Sequence, residues 1–273
     1  MIHNMKAAKI IHDDFRYGPE EHGFFEREGY FIFDRFLTDE AAAEARSHAD
    51  RMYSELAEGM GATEMMSPHQ LGEKWMWDIA SDPKVLDYAQ RRLGPNLLLW
   101  HADLLIKEPR TGRHIPWHQD QVYWDAQKVF APVANVWIAF DDVDENNGAM
   151  SVLPREHTHG LQPHTDMGDF FGLAIDAQVL PPDAEDREVQ YRFKAGQAAT
   201  HSSHAPHRST PNSSASWRRV MTMHFMRAEA DGMAPRHYTS YQDKSTFDRE
   251  FYLVRGEDPH NRGLKRNPYE SDE

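Results

Sequence analysis

LLLWHADLLI, residues 97–106, is where the character of the chain changes, and it decides the fold class. Short runs rich in branched and aromatic residues follow it, separated by turn sequences such as EPRTGR, ENNG and STPNSSAS. The later runs are ANVWIAFDDV (134–143), AMSVL (149–153), EVQYRF (188–193), QAATHS (197–202) and RRVMTMHF (218–225). Short strands with this punctuation are typical of a sandwich or barrel, so the region predicts a β core.

The segment before this core predicts helices. GYFIFDRF (29–36) has the composition of a strand, and Thr38 or Asp39 then caps a helix, DEAAAEARSHADRMYSEL (39–56). Ser81 caps a second helix, DPKVLDYAQRRL (82–93), which Gly94 ends.

The chain is expected to form one domain over residues 1–273, because no repeat or low-complexity linker divides it. Its helical part covers about 18–94, its β core about 97–227 and a polar tail 228–273, of which we expect the last dozen residues to be frayed. The stretch 156–186 is too long for a hairpin loop and predicts a lid.

The charge balance narrows the range of partners. The 273 residues carry 30 Lys and Arg against 44 Asp and Glu, a formal net charge of −14, and 40% are hydrophobic, which excludes global disorder. An acidic surface repels phosphates and anionic headgroups, so we expect a small-molecule substrate and neither nucleic acid nor membrane as partner. A homodimer is left open. MIHNMKAAKIIHDDF (1–15) lacks the apolar region of a secretory signal, and we expect a soluble, cytoplasmic protein.

The sequence contains no Cys and 17 His. This excludes disulfides, thiolate nucleophiles and iron–sulfur clusters. Any bound metal must be held by imidazole and carboxylate groups, a donor set that suits Fe(II), Mn(II) or catalytic zinc.

HIPWHQDQVYW, residues 114–124, carries the chemical signal. His118 and Asp120 lie two positions apart, and on an extended strand such residues face the same side. A polar surface loop would explain an isolated pair of this kind. Three downstream histidines, His201, His204 and His207, offer a further ligand. Two imidazoles and one carboxylate form a facial triad, which leaves positions on the metal open for oxygen and a cosubstrate.

In three segments the sequence resembles the phytanoyl-CoA dioxygenase family of Fe(II)/2-oxoglutarate-dependent oxygenases. These segments are WHQDQVYW (117–124), VWIAFDDVDENNGAMSVLPREHTHG (136–160) and HRSTPNSSASWRRVMTMHF (207–225), and the resemblance runs from about Phe24 to Phe225. It implies a mainly β fold, a double-stranded β-helix of the jelly-roll, cupin-like type, with N-terminal helices packed on it. It also implies Fe(II) as cofactor and 2-oxoglutarate and O2 as cosubstrates.

The resemblance assigns the metal-binding and catalytic roles to His118, Asp120 and His207. His207 is followed by Ser two positions later and by Arg eleven positions later, as in the family, whereas His201 and His204 are not. We therefore expect His201 and His204 to be neighbours of the site.

Arg218 and Ser209 are implied to bind the C5 carboxylate of 2-oxoglutarate, with Trp137 beside the cosubstrate. A buried carboxylate needs a charged partner, and a guanidinium binds it through two charge-assisted hydrogen bonds. Alternation counted from Ser209 would favour Arg219, but the turn STPNSSAS resets the register, and the resemblance favours Arg218. Trp137 is explained equally well as an ordinary core residue.

The resemblance implies hydroxylation of an unactivated C–H bond with release of succinate and CO2. Related halogenases have a small residue in place of the carboxylate ligand, so Asp120 favours hydroxylation. We expect a small polar substrate, such as an aminophosphonate or a quaternary-amine zwitterion. The alternatives are an acyl-CoA or natural-product hydroxylase of the same family, a cupin-like metal enzyme that does not use 2-oxoglutarate, and a non-catalytic β-sandwich binding protein.

Residues expected at the substrate are those whose side chains could stack on a cation or hold an anion. They are His69, Lys74, Tyr123, Trp124 and Arg113, together with FFG (170–172) of the predicted lid.

Overall fold

The computed structural model describes residues 1–61, 65–125, 132–168, 172–230 and 236–270. Six α-helices in these ranges have the bounds Pro19–Glu28 (α1), Asp39–Ser54 (α2), Lys74–Ala80 (α3), Pro83–Leu93 (α4), Asp120–Asp125 (α5) and Ala184–Arg187 (α6). The strands are Tyr30–Phe33 (β1), Leu97–Lys107 (β2), Ile115–His118 (β3), Val133–Ala139 (β4), Met150–Val152 (β5), His164–Asp166 (β6), Leu173–Ile175 (β7), Val189–Gln190 (β8), Ala198–His201 (β9), His207–Ser209 (β10), Arg218–Arg227 (β11), His237–Thr239 (β12), Thr246–Asp248 (β13) and Tyr252–Arg255 (β14).

The two predicted helices are present as α2 and α4. Thr38 caps α2, because its hydroxyl oxygen accepts a hydrogen bond from the backbone N–H of Ala41 at 3.2 Å. Asp82, rather than the predicted Ser81, caps α4, because its carboxylate accepts from the backbone N–H of Lys84 at 2.9 Å. Ser81 instead follows the end of α3.

Two antiparallel sheets form the core. The larger has the strand order β1-β9-β4-β11-β2-β14, and the smaller has the order β3-β10-β5-β8. The predicted fold class, a mainly β jelly roll with flanking helices, is confirmed. None of the helices in the described ranges is long and apolar enough to cross a lipid bilayer.

The larger sheet has an apolar outer face and a polar inner face, because side chains alternate along each strand. On β11, Met221 and Phe225 belong to the hydrophobic cluster that includes buried residues of α2, α3 and α4. Arg218, Thr222 and His224 of the same strand line a cavity between the two sheets. The helices therefore cover one side of the sheet, and the other side is left for polar chemistry.

The C-terminal tail is part of the fold. β14 pairs with β2 at the edge of the larger sheet, where Leu253 lies opposite Leu98. The backbone N–H of Leu253 also donates to the carbonyl of Lys265 at 2.8 Å, and the hydroxyl of Tyr269 donates to the carbonyl of His69. The expectation of a frayed terminus is therefore wrong as far as residue 270, because an apolar strand inside the polar tail completes the sheet edge.

Leu253→Ala is expected to lower the free energy of unfolding by about 2–5 kcal/mol, because Leu253 is buried in a cluster with Leu98 and Trp100. Urea denaturation measures this change. The exposed Val179 offers a control, and Val179→Ala should change the free energy of unfolding by less than about 0.5 kcal/mol. Equal effects of the two substitutions would mean that β14 contributes nothing to the core.

The predicted lid segment contains regular structure in its described parts. β6 and β7 pair as a hairpin, with His164 opposite Ile175. Ile175 is buried with Trp117 and Leu153, so the hairpin packs against β3. The predicted substrate contacts of Phe170 and Phe171 lie outside the described residues.

Candidate metal centre

A cavity of about 220 Å³ lies between the two sheets, and both sheets supply its walls. Its lining combines imidazole, carboxylate, guanidinium and aromatic groups. The lining residues are Leu105, Ile115, His118, Asp120, Tyr123, Asn135, Val136, Trp137, Met150, His201, His207, Arg208, Ser209, Arg218, Thr222 and His224.

Three of these residues are placed to bind one metal ion. One ligand atom from each of His118, Asp120 and His207 lies within 4.8 Å of the other two. Asp120 Oδ1 is 3.5 Å from His207 Nε2 and 3.9 Å from His118 Nε2. The structure thus brings together the three residues to which the sequence assigned the metal.

Strand pairing brings the two imidazoles together. His118 on β3 and His207 on β10 are partners in the antiparallel register, and their ring centroids are 4.1 Å apart. His118 is the last residue of β3, whereas Asp120 is the first residue of α5. The expected extended geometry of the pair is therefore wrong, because the chain turns from strand to helix between the two side chains.

Gln119 fixes this turn from its buried position. Its side-chain amide donates to the carbonyls of Gly160 at 2.8 Å and His204 at 2.6 Å. Its side-chain oxygen accepts from the backbone N–H of Gln162 at 2.7 Å. These hydrogen bonds tie Gln119 to neighbouring segments of the chain. They therefore fix the positions of His118 and Asp120 on either side of it.

Backbone carbonyls orient both imidazoles. His118 Nδ1 lies 2.9 Å from the carbonyl oxygen of Pro116, and His207 Nδ1 lies 3.0 Å from that of Ala205. Each Nδ1–H donates to its carbonyl, which directs the Nε2 atom of each ring at Asp120. Metal-binding histidines commonly use a partner of this kind to fix the ring and the tautomer.

The three groups are strongly coupled electrostatically. Burial and the neighbouring His207 lower the pKa of His118 to about 3. Burial alone would raise the pKa of Asp120, but the charge of His207 and hydrogen bonds from His201 and His207 hold it well below its usual value. Burial opposes protonation of His207, yet Asp120 raises its pKa. The carboxylate is therefore ionised, and one imidazole carries the balancing proton that a bound cation would displace.

His201 contacts the carboxylate of the candidate metal site, whereas the sequence analysis expected it only to neighbour the site. Its Nε2 lies 3.4 Å from Asp120 Oδ2, whereas His118 and His207 approach the other carboxylate oxygen, Oδ1. The same Nε2 lies 3.3 Å from the side-chain nitrogen of Asn135. The carbonyl of His204 accepts a hydrogen bond from the side-chain amide of Gln119. His201 thus orients the carboxylate, a role that its spacing in the sequence did not indicate.

The two adjacent arginines point to opposite faces of β11. Arg218 is 3% exposed in the cavity wall, and its Nε and Nη1 have no hydrogen-bond partner among the described residues. Burial lowers the pKa of Arg218 to about 9. Arg219 instead binds Asp141 through two hydrogen bonds of 2.8 and 2.7 Å and also contacts Asp50. Arg218 is the residue that faces the cavity, because the turn before β11 sets the register.

Ser209 and Trp137 flank Arg218 in the same wall. The hydroxyl of Ser209 accepts a hydrogen bond from the ammonium of Lys107 at 2.7 Å. The ring of Trp137 lies 5.8 Å from the guanidinium carbon of Arg218 and also packs at 5.8 Å from the ring of Phe193. Trp137 is therefore both a core residue and a wall of the cavity.

Among the residues expected at the substrate, Tyr123 is part of the cavity lining, with its ring 6.1 Å from that of His118. Trp124 is not in that lining. It is buried with its ring edge against Trp100 at 5.2 Å, because the helix α5 turns it away from the cavity and towards the core.

The other three expected substrate contacts lie elsewhere in the described structure. His69 is fully buried beside Tyr252 and does not line the cavity between the two sheets. Lys74 forms an ion pair with Asp78 one helical turn along α3. Arg113 is exposed on the loop after β2. The prediction that these three residues contact the substrate is not supported by their positions, because none of them lines the cavity between the two sheets.

Sequence reasoning missed His224, which lines the cavity, and Lys107, which contacts Ser209 of the cavity wall. Lys107 ends β2 with a buried side chain, and nothing in its sequence context distinguishes it from a surface lysine. His224 follows Arg218 by an even number of positions on the same strand, so period-two alternation could have found it. Burial and the neighbouring His101 lower the pKa of His224 to about 3, which keeps this imidazole neutral.

The residues present fit Fe(II) together with a 2-oxo acid. Two imidazole nitrogens and one carboxylate on one side are the donor set of non-haem iron oxygenases. The buried guanidinium of Arg218 lacks a hydrogen-bond partner at two of its nitrogens among the described residues. A carboxylate of the incoming acid would supply that partner.

Comparisons with known proteins agree with this site. The family model described as phytanoyl-CoA dioxygenase (PhyH) matches residues 25–220. The peroxisomal phytanoyl-CoA dioxygenase of Bos taurus is 27% identical over 170 residues, which cover 53% of this chain and 49% of that protein. The L-proline trans-4-hydroxylase of Streptomyces griseoviridis is 24% identical over 167 residues, 58% of this chain and 59% of that protein. The chain spans about half the length of the curated relatives it matches.

A solved structure extends the similarity over most of the chain. The apo form of the non-heme monooxygenase ThoJ has a TM-score of 0.68 and 26% sequence identity. The match covers 86% of this chain and 84% of that one. Helices and both sheets therefore share one architecture in the two proteins.

Proposed function

The chain belongs to the phytanoyl-CoA dioxygenase family of Fe(II)- and 2-oxoglutarate-dependent oxygenases, and from this premise we propose that it hydroxylates an unactivated C–H bond of a small polar metabolite. The family match confirms the resemblance seen in the sequence. In the proposed reaction, 2-oxoglutarate and O2 are converted to succinate and CO2 while the substrate is hydroxylated, so that one oxygen atom of O2 enters succinate and the other enters the new hydroxyl group. The observation that carries the proposal is one cavity that is lined both by the candidate metal ligands His118, Asp120 and His207 and by the buried side chain of Arg218.

His118, Asp120 and His207 would hold the iron through two Nε2 atoms and one carboxylate oxygen. When bound, iron supplies the activation of O2, which these side chains cannot provide themselves. The protein contributes orientation, because the carbonyls of Pro116 and Ala205 fix both rings before any ligand arrives.

Arg218 and Ser209 would bind the C5 carboxylate of 2-oxoglutarate, and Trp137 would form the adjoining wall. Both polar groups are buried, at 3% and 4% exposure, so the pairing takes place away from water. A charge-assisted hydrogen bond is stronger in such surroundings than at the surface.

The substrate side of the cavity supports a small polar molecule. Its polar wall residues beyond the triad include the neutral imidazole of His224 and the amide of Asn135, and Tyr123 adds an aromatic ring. A relative that is an L-proline hydroxylase also supports a zwitterion. An aminophosphonate or quaternary-amine zwitterion is therefore preferred to the alternative, an acyl-CoA or other natural-product substrate.

The partners and location are part of the same proposal. The net charge of −14 favours a small-molecule substrate over nucleic acid or a membrane surface. We also propose a cytoplasmic location, and a homodimer is left open.

Two measurements test the reaction class. Anaerobic addition of Fe(II) and 2-oxoglutarate should produce the visible absorbance of an iron–2-oxo acid chelate, and a non-catalytic binding protein would show none. Succinate release should then require both iron and 2-oxoglutarate. Full turnover without 2-oxoglutarate would favour a cupin-like metal enzyme instead.

A mass-spectrometric screen identifies the substrate. Small amines, phosphonates, amino acids and short acyl esters are each incubated with the enzyme, Fe(II), 2-oxoglutarate and O2. We expect a gain of one oxygen atom in a small zwitterion. Oxygen gain confined to acyl esters would reverse the proposed substrate class.

A further inference from the structure

Lys107 is a buried basic residue that has no role in the proposed reaction as described above. It is the last residue of β2 and lies directly opposite Arg218 of β11 in the sheet register. Only 2% of the residue is exposed. Its ammonium donates to the hydroxyl oxygen of Ser209 at 2.7 Å and to the carbonyl of Thr210. Lys107 therefore lies behind the wall that Arg218 and Ser209 present to the cavity.

The surroundings are shaped to accept the lysine stem. A Cβ atom at Gly148, where φ is +101°, would come within 2.6 Å of Lys107 Cδ. A Cβ atom at Gly112 would come within 2.8 Å of Lys107 Cβ. Asn212 adds a hydrogen bond of 3.1 Å from its side-chain nitrogen to the Lys107 carbonyl. The loops that contain Gly148 and Gly112 thus meet around this side chain, and neither of these two positions has room for a Cβ atom.

Two basic side chains face each other here without a counter-ion. Neither Lys107 nor Arg218 makes an ion pair with any residue in the described ranges. Asp141, whose charge acts on Arg218, is occupied by the bidentate contact with Arg219. Buried cations without a partner are costly, and an anion that enters between them removes that cost.

We propose that Lys107 is a positioning residue for the distal carboxylate of the 2-oxo acid and acts through Ser209. This inference rests on the proposed function. The ammonium donates to the oxygen of Ser209, so the hydroxyl proton of Ser209 is left to donate into the cavity. Arg218 forms the ion pair with the distal carboxylate. Lys107 orients the hydroxyl of Ser209, which is a further donor to that carboxylate, and adds a second positive charge. Together they select a 2-oxo acid that carries a second carboxylate.

A proton should accompany the binding of this acid. Burial and the charge of Arg218 lower the pKa of Lys107 to about 6. Arg218 faces Lys107 from β11, Ser209 and Thr210 of the β10 side do not titrate near neutral pH, and the loops present glycine and amide groups. A carboxylate placed beside these groups favours the charged lysine, so its pKa rises on binding. Above pH 6 the complex therefore takes up a proton, and the affinity falls as the pH increases.

Calorimetry on the anaerobic, Fe(II)-loaded protein tests the proposal by direct binding of 2-oxoglutarate. Lys107→Met should weaken binding at least tenfold. It should weaken binding of 2-oxopentanoate, which lacks the distal carboxylate, by less than twofold. Lys107→Arg should restore much of the preference for 2-oxoglutarate, because a cation remains. Lys194→Met is the matched control, since this lysine is exposed and pairs only with Asp142 across the loop.

Two further readouts separate positioning from a structural role. Titration at pH 7.5 in HEPES and in Tris should show uptake of a fraction of a proton by the unaltered protein and none by Lys107→Met. Ser209→Ala should weaken binding of 2-oxoglutarate, and adding Lys107→Met should cause little additional loss, because the lysine acts through that hydroxyl.

The possible results are distinguishable. Unaltered affinity and unaltered acid selectivity in Lys107→Met would overturn the inference. If Lys107→Met does not fold, absence of proton uptake by the unaltered protein together with additive losses in Ser209→Ala and Lys107→Arg would overturn it. Failure of the unaltered, iron-loaded protein to bind 2-oxoglutarate at all would instead contradict the proposed function.

Discussion

Asp120→Ala is expected to abolish succinate formation, with a loss of more than about a hundredfold. Even outer contacts to metal ligands are worth 10–100-fold in affinity or activity, and Asp120 is placed to bind the metal itself. The substitution removes the single carboxylate of the triad and leaves His207 without the negative charge that raises its pKa. Loss of the carboxylate ligand weakens Fe(II) binding. His118→Ala should have a comparable effect, because it removes one of the two imidazoles.

The fold should survive both substitutions. The core is built by the packing of the two sheets and the helices, and the triad lines the cavity. Circular dichroism and thermal denaturation measure this. Asp186→Ala, at an exposed position of α6, is the matched control and should retain full activity and iron binding. Retained turnover in both triad variants would remove these residues from the metal site.

Arg218→Ala should raise the concentration of 2-oxoglutarate that half-saturates the enzyme by about 30-fold to several thousandfold. That range corresponds to about 2–5 kcal/mol, the cost of leaving one member of a buried charge pair without its partner. Iron binding should be unaffected, because the triad does not contact this guanidinium through any hydrogen bond in the described ranges. Succinate formation measured against 2-oxoglutarate concentration provides the readout.

Arg219→Ala is the control that the sequence itself offers. Arg219 is adjacent in the chain but binds Asp141 on the outer face of the sheet. Loss of this buried ion pair should lower the free energy of unfolding by about 3–5 kcal/mol, while the folded fraction keeps its 2-oxoglutarate requirement. A changed requirement in Arg219→Ala together with an unchanged one in Arg218→Ala would reverse the assignment of the two arginines.

Local patterns determined the fold class and the identity of the candidate ligands. Branched and aromatic runs between turn sequences predicted β2, β4, β5, β8, β9 and β11, and the cap at Thr38 predicted α2. The absence of Cys limited the metal site to imidazole and carboxylate donors, whereas the family resemblance distinguished His207 from His201 and His204. These are properties of composition and of period-two or helical repeats, which a single strand or helix expresses by itself.

Only the tertiary structure decided which side chains meet. The choice of Arg218 over Arg219 depends on the turn before β11, and the position of Asp120 beside His118 depends on a strand-to-helix junction held by Gln119. Lys107 gained a place behind Ser209 through pairing of distant strands, and the tail supplied an edge strand that its polar composition concealed. Strand register and the direction in which a face points are set by long-range contacts, because a shift of one residue exchanges the two faces without changing the local pattern.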